Sequence, residues 1–221
     1  MNDPPGPDVA GPVRFVPLFL LCLVGCATVT SVAQPESSEA DWEAWPVSAP
    51  PPPTPVNQLA LKAGSLVGLS TLRLAAPHLP DDCTGLVRAV YDSEGIALMG
   101  AGQSGDNGVT AMYRRAFERS ALHTSTPEPG DLVFFRETYD RNRDGKENDG
   151  LTHVGVVEAV APDGTVTFVH RSGSGVTRAR MNLAAPLDKH RNDFLRPKKK
   201  DSPALLTGEL FVAFASAVKL R

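Results

Sequence analysis

The chain contains few cysteines, and their positions exclude two common uses of that residue. Of the three thiols, Cys22 and Cys26 fall in an apolar stretch near the N-terminus, which leaves Cys83 alone in the rest of the chain. A single cysteine cannot build a disulfide framework, and it cannot supply the several thiolates of a structural zinc site. Cys83 is therefore either a small buried apolar residue, the commoner role of a lone cysteine, or a reactive thiol.

The sequence also lacks a long basic face and a long apolar run. The formal net charge is −3 and the lysine cluster at 198–200 is short, so nucleic acid is not an expected partner. The apolar run at 15–24 is too short to span a bilayer comfortably, but it suits the core of a secretory signal. A chain of 221 residues is long enough for one ordinary domain with extensions.

The N-terminal segment resembles a bacterial lipoprotein signal. Its apolar run ends in Leu23-Val24-Gly25-Cys26, the pattern of a lipobox, in which the peptide is removed before the cysteine and the thiol receives lipid. The resemblance implies a signal peptide at 1–25, lipidation of Cys26, and a place in the bacterial cell envelope at the periplasmic face of the outer membrane. Ordinary cleavage and an uncleaved anchor are the alternatives. Residues 26–56 are rich in proline without periodicity, which predicts a semi-rigid tether.

The pattern from residue 57 to residue 200 predicts one α+β domain. Helical periodicity is present over 57–74, over the segment that begins at Cys83, and over 109–122. Continuous apolar or alternating segments at 131–135, 153–160 and 165–170 predict strands, the last two joined by a hairpin turn at 162–164. Helices followed by a series of antiparallel strands are typical of the α+β class. We interpret residues 201–221 as a C-terminal extension without an assigned role.

Cys83 stands where a helix begins. With Asp82 as the N-cap, the thiol would lie near unpaired backbone N–H groups and the positive end of the helix dipole, an arrangement that lowers a thiol pKa from about 8.5. A thiol that attacks an amide needs a base, usually histidine near neutral pH. His153 begins a strand, a rigid position for such a base. His78 is a rival close to the cysteine, although flanking prolines place it in a loop.

Three ordered motifs resemble the NlpC/P60 family. They are Asp82-Cys83-Thr84-Gly85-Leu86-Val87, then Pro129-Gly130-Asp131-Leu132-Val133-Phe134-Phe135, then His153-Val154-Gly155-Val156-Val157, within a similarity that covers about 57–197. The resemblance implies a papain-like fold and a cysteine peptidase that cuts peptidoglycan stem peptides.

The same resemblance implies roles for individual residues. Cys83 would be the nucleophile, His153 the general base and acid, and His170 the residue that orients the base. Family members usually carry a tyrosine shortly before the nucleophile, where its hydroxyl helps to bind the oxyanion. No tyrosine precedes Cys83 in this chain, and we expect another group, such as Arg73, to replace it.

We predict a lipid-anchored envelope cysteine peptidase with no required cofactor. The resemblance to NlpC/P60 implies that it acts at D-Glu–diamino acid linkages. Two alternatives stay open. One is a wall-binding or scaffolding lipoprotein that kept the fold and lost activity. The other is an amidase or acyl-transfer enzyme that uses the same cysteine and histidine.

A second motif lies between two predicted strands. It has oxygen-bearing side chains at alternate positions before Gly145 and one later carboxylate, namely Asp140, Asn142, Asp144 and Asp149. This pattern is typical of the opening of a calcium loop, although Leu151 stands where an EF-hand has glutamate. The sequence leaves two interpretations, a structural Ca²⁺ site that orders the approach to His153, or a solvated charged loop.

Overall fold

The computed structural model describes residues 55–100, 103–199 and 202–221, with side chains from residue 57 onward. The predicted signal peptide, Cys26 and nearly all of the predicted tether lie outside these residues. Within the described ranges, no helix combines the length and the apolar character needed to cross a membrane.

Three helices precede the strands: α1 (Pro55–Ser65), α2 (Cys83–Asp92) and α3 (Gly108–Glu118). The helix predicted over 57–74 is divided into α1 and a single 3₁₀ turn at Leu72–Leu74. The division falls at Gly68, whose φ of 93° is left-handed and incompatible with a continuing helix.

Eight strands follow in chain order: β1 (Leu122–His123), β2 (Leu132–Arg136), β3 (Leu151–Val160), β4 (Val166–Ser172), β5 (Gly175–Met181), β6 (Phe194–Arg196), β7 (Leu205–Leu206) and β8 (Phe211–Ala215). Six of them form one antiparallel sheet in the order β1-β8-β2-β3-β4-β5, and β6 pairs with β7 separately. Two short helices, α4 (Thr207–Leu210) and α5 (Ala217–Leu220), flank β8. The α+β class predicted from the sequence is confirmed.

The C-terminal residues are part of the domain core. Strand β8 lies between β1 and β2 and pairs with both, and Phe214 and Ala215 are fully buried. The buried carboxylate of Asp131 accepts a hydrogen bond from the Ala217 backbone N–H at 2.8 Å. The interpretation of 201–221 as an extension is therefore wrong, because a strand of five residues is stabilised here by partners about 80 residues away in sequence.

The sheet carries an apolar core on each face. On one face, side chains of α1, α2 and α3 pack against Val154 and Val156 of β3 and Val169 of β4. On the other face, Val157 and Phe168 pack with Leu210 of α4. This alternation follows the two-residue period of a strand. The packing of the helices on the sheet places the first turn of α2 beside the end of the sheet where β3 begins and β4 ends.

The loop before α2 passes very close to the helix. A Cβ atom at Gly85 would lie 1.7 Å from the carbonyl oxygen of Pro80, so only glycine permits this path. Asp82 caps the helix by accepting hydrogen bonds from the backbone N–H groups of Thr84 and Gly85, both at 2.9 Å. Together these contacts fix the position of Cys83 as the first residue of α2.

Candidate active site

Cys83 and two histidines line the same open pocket, which has a volume of about 570 Å³. Cys83 is partly exposed at the start of α2, His153 lies near the start of β3, and His170 lies near the end of β4. The structure thus brings together the three residues singled out in the sequence. Other residues of the pocket wall are Asp81, Asp82, Thr84, Asn107, Thr138, Tyr139, Thr152, Arg171 and Ser172.

The two histidines form a hydrogen-bonded pair. His153 Nε2 lies 2.9 Å from His170 Nδ1, with the rings nearly perpendicular and their centroids 5.0 Å apart. If His153 Nε2 carries the proton and donates it to His170, the Nδ1 atom of His153 is unprotonated and can accept a proton from a reacting group. His170 is itself buried, so its ring holds the His153 ring in a defined orientation.

The thiol is more strongly protonated than its place at a helix start suggests. Burial is the largest influence and, with the negative charge of Asp82, it raises the pKa of Cys83 to about 12. Backbone N–H groups of Val154, Thr84 and Cys83 act in the opposite direction but are outweighed. The lowered thiol pKa expected from the helix terminus is therefore wrong for the resting protein, because the cost of burying the anion exceeds the gain from the helix.

The histidines are also held in their neutral forms. Burial lowers the pKa of His153 to about 3, with a further lowering by the charge of His170. Burial lowers the pKa of His170 to about 4, although the nearby Asp193 carboxylate opposes this. The structure has no hydrogen bond between Cys83 and His153. The resting site therefore holds a neutral thiol and a neutral imidazole.

A tyrosine from another part of the chain lies at the pocket. Arg73, the residue expected to replace the missing tyrosine, is exposed on the 3₁₀ turn and is not part of the pocket wall. Tyr139 is part of that wall, and its pKa is raised by burial and then by the charge that Cys83 can carry. The residue is still 47% exposed, so it is accessible from solvent.

A turn directly after β2 explains the position of Tyr139. Glu137 has a left-handed φ of 52°, and hydrogen bonds hold both of its backbone groups. Its N–H donates to the Gly150 carbonyl at 2.8 Å, and its carbonyl accepts from Arg196 Nη1 at 3.1 Å. These bonds hold the chain after β2 beside the start of β3, where β2 and β3 are paired through Phe135 and His153.

The remaining histidines lie outside this pocket. His78 is exposed in the loop before Cys83, and His190 is exposed between β5 and β6. His123 on β1 has its Nε2 3.3 Å from the Asp131 carboxylate and its Nδ1 3.0 Å from Ser125 Oγ. None of these side chains competes with His153 for a position beside Cys83.

The acidic loop after Tyr139 is organised by its own backbone. Asp140 accepts hydrogen bonds from the N–H groups of Arg143 and Gly145, Asp144 accepts from Lys146, and Asp149 accepts from Arg141. In the described ranges, no group of three carboxylate, imidazole or thiol side chains is arranged to hold a metal ion. The residues present thus do not form a ready-made calcium site, and Ca²⁺ binding by Asp140, Asn142, Asp144 and Asp149 stays a prediction.

Two further contacts near the histidine were not predicted. The buried hydroxyl of Thr152 accepts a hydrogen bond from the Thr138 N–H at 2.8 Å. Thr152 directly precedes His153, and Thr138 directly precedes Tyr139. Asn107 caps α3 through Oδ1 and donates from Nδ2 to the Leu151 carbonyl at 2.9 Å. These contacts join α3, β3 and the chain after β2 around the pocket.

An α+β domain with a cysteine at a helix start and two strand-borne histidines in one pocket is consistent with the papain-like class of cysteine hydrolases. Residues 76–172 match the family model described as CHAP domain, a cysteine- and histidine-dependent amidohydrolase or peptidase domain related to NlpC/P60. The relationship predicted from the motifs is thus confirmed through this related family. Comparisons with curated proteins and with solved structures gave no match.

The matched segment contains Cys83, His153 and His170 and ends with β4. CHAP domains are hydrolases of the amidase or peptidase type that act on peptidoglycan.

Proposed function

We propose that this protein is a cysteine endopeptidase that cuts peptidoglycan stem peptides, with Cys83 as nucleophile, His153 as general base and acid, and His170 as the orienting residue. The observation that carries the proposal is the His153–His170 hydrogen bond of 2.9 Å at a pocket that also contains the Cys83 thiol. Because that bond engages Nε2 of His153, Nδ1 is the nitrogen left for the thiol.

The proposed reaction starts from neutral groups. As the sulfur attacks the amide carbon, His153 Nδ1 takes the thiol proton and the carbonyl oxygen becomes an oxyanion. The resulting imidazolium donates its other proton towards His170 and gives the first to the leaving amine when the C–N bond breaks. Water then cleaves the thioester with His153 again acting as base, which restores the thiol and releases the new carboxylate.

The charges on the pocket wall fit a linkage beside a diamino acid. Asp81 and Arg171 are paired with each other, at 2.9 Å between Arg171 Nε and Asp81 Oδ1. Asp82 accepts its hydrogen bonds through Oδ1, which leaves Oδ2 uncommitted on an exposed side chain. A carboxylate without a cationic partner beside the nucleophile suits a substrate ammonium group. This supports the D-Glu–diamino acid linkage as the bond that is cut.

Product analysis tests the bond. Purified full-length protein is incubated with muropeptides of defined stem length, and the fragments are identified by mass spectrometry. We expect fragments that end at D-Glu, with loss of all cleavage in C83S. Release of intact stem peptides from the glycan would instead identify an amidase, an alternative that the family description also includes. No cleavage by the wild type would identify a wall-binding protein.

Envelope anchoring through Cys26 is a separate part of the proposal. Its support is the lipobox pattern, since residues 1–54 lie outside the described structure. Expression in the presence of an alkyne-labelled fatty acid should label the wild type and direct it to the membrane fraction. C26A should lose the label. An unlabelled wild type would refute lipidation without affecting the catalytic proposal.

The calcium prediction has its own test. Titration calorimetry with CaCl₂ should give binding heat with the wild type and none with D144A. Absence of heat with the wild type would end the prediction and leave the hydrogen-bonded loop as the explanation of the pattern.

A further inference from the structure

Asp81 and Arg171 connect the segment that carries Cys83 with the strand that carries His170. Asp81 lies two residues before Cys83, and Arg171 directly follows His170 in β4. Their side chains form a two-point ion pair, with Arg171 Nε 2.9 Å from Asp81 Oδ1 and Arg171 Nη2 3.2 Å from Asp81 Oδ2. Because planar guanidinium and carboxylate groups match in this geometry, the pair fixes orientation as well as distance.

The carboxylate also binds a third segment of the chain. Asp81 Oδ1 accepts a hydrogen bond from the Leu72 N–H at 2.9 Å, and Oδ2 accepts one from the Thr71 hydroxyl at 2.8 Å. Together with Arg171 these donors hold the pKa of Asp81 well below its usual range. Asp81 therefore stays ionised and links the 3₁₀ turn, the loop before Cys83 and the end of β4.

The guanidinium is largely used within the protein. Besides Asp81, its Nη1 donates to the Ser172 carbonyl and its Nη2 donates to the Ser70 carbonyl at 3.3 Å. Only 12% of the Arg171 side chain is exposed, although the residue belongs to the pocket wall. An arginine that bound a substrate carboxylate would need free donors directed into the pocket. The contacts of Arg171 therefore indicate a role in holding other residues.

We propose that the Asp81–Arg171 pair is a positioning device that holds the Cys83 end of α2 in register with His170 and, through it, with His153. This inference rests on the proposed function. His170 and Arg171 are adjacent in a strand and point to opposite faces, so anchoring Arg171 fixes the backbone that carries His170. The two neighbouring acids have separate roles, since Asp82 starts the helix and Asp81 joins it to the sheet.

Loss of the pair should affect turnover more than substrate binding. R171K keeps the positive charge but cannot make the two-point contact, so the distance between thiol and imidazole becomes less well defined. A misplacement of about 1 Å can reduce a rate by about 100-fold. We expect R171K and D81N each to lower kcat by about 10- to 100-fold with less than about a threefold change in KM. The double variant should lose no more than either single one, because the first change already breaks the pair.

A matched ion pair elsewhere provides the control. Arg178 on β5 makes a two-point contact with Glu158 on β3, at 2.5 Å for Nε–Oε2 and 2.7 Å for Nη2–Oε1, and neither residue belongs to the pocket wall. R178K should leave kcat and KM unchanged.

The experiment measures kcat and KM for muropeptide cleavage at a temperature where circular dichroism shows every variant folded. A raised KM with unchanged kcat in R171K would overturn the inference and make Arg171 a substrate-binding residue. Unchanged kcat in both R171K and D81N would also overturn it and reduce the pair to a stabilising contact. No cleavage by the wild type would refute the proposed function instead. In that case, chemical crosslinking between Cys83 and His170 would still test the positioning role of the ion pair. A lower crosslinking yield in R171K than in the wild type would support this role, and an equal yield would refute it.

Discussion

The neutral histidine pair predicts a stability that falls steeply on mild acidification. Histidine in an unfolded chain has a pKa of about 6.5, whereas burial lowers the pKa of His153 to about 3 and that of His170 to about 4. Between these values the unfolded chain binds protons that the folded chain does not. Acidification through this window therefore favours unfolding, and the contribution of the pair is fully present only above about pH 6.5.

The magnitude follows from the two pKa values. At pH 5 the unfolded histidines are almost fully protonated and the folded pair is almost fully neutral. The free energy of unfolding should therefore fall by about 2 kcal/mol per histidine between pH 7 and pH 5. The total for the pair is about 3 to 4 kcal/mol, a large share of the roughly 5 to 15 kcal/mol that stabilises a typical domain. The ion pair of Asp81 does not contribute in this window, because its lowered pKa matters only below about pH 4.

Urea unfolding at pH 7 and pH 5, followed by circular dichroism, measures this difference. H170Q should lose about half as much stability as the wild type on acidification, and H190Q, a change at an exposed histidine, should match the wild type. NMR titration should show the His153 and His170 rings uncharged down to about pH 4. An equal loss of stability in the wild type and H170Q, with both rings titrating near pH 6.5, would refute the reasoning.

Two further predictions concern the pocket. Tyr139 belongs to the same pocket wall as Cys83, and we propose that its hydroxyl donates to the oxyanion in place of the missing tyrosine. The loss of one such donor typically costs about 100- to 1,000-fold, so Y139F should lower kcat by about 10-fold or more without changing the fold, and unchanged kinetics would exclude that role. D82N keeps a capping side chain but removes a charge that, after burial, raises the pKa of Cys83. Iodoacetamide should therefore alkylate Cys83 faster in D82N than in the wild type at pH 8. D92N at the far end of α2 is the control, and an equal rate in D82N and the wild type would contradict the assigned influence of Asp82.

The helices, strands and turns that depend on short local sequence patterns were predictable from the sequence. The start of α2 follows from the capping side chain of Asp82, and the strand that carries His153 follows from its continuous apolar residues. The hairpin turn at 162–164 fixes the pairing of β3 with β4, and this pairing brings His170 next to His153. Each of these predictions depends on neighbouring residues or on one short connection.

Features that depend on distant segments were not predictable. Whether the pKa of the Cys83 thiol is lowered or raised depends on how deeply the folded chain buries the sulfur, and no local motif contains that information. Strand β8 pairs with β2 across about 80 residues, and Arg171 reaches Asp81 across 90 residues. Tyr139 enters the pocket through a left-handed turn at Glu137, a residue type that does not favour such a turn. In each case tertiary contacts decide the outcome.

The most direct test of the central claim is detection of the covalent intermediate. Full-length protein is mixed with a muropeptide, quenched in acid within its first turnovers, and analysed by intact and peptide mass spectrometry. The account predicts an acyl group on Cys83 that is absent in C83A and that forms far more slowly in H153Q, while H123Q behaves as the wild type. Peptidoglycan cleavage that proceeds at the wild-type rate in C83A, with no adduct on Cys83, would contradict it.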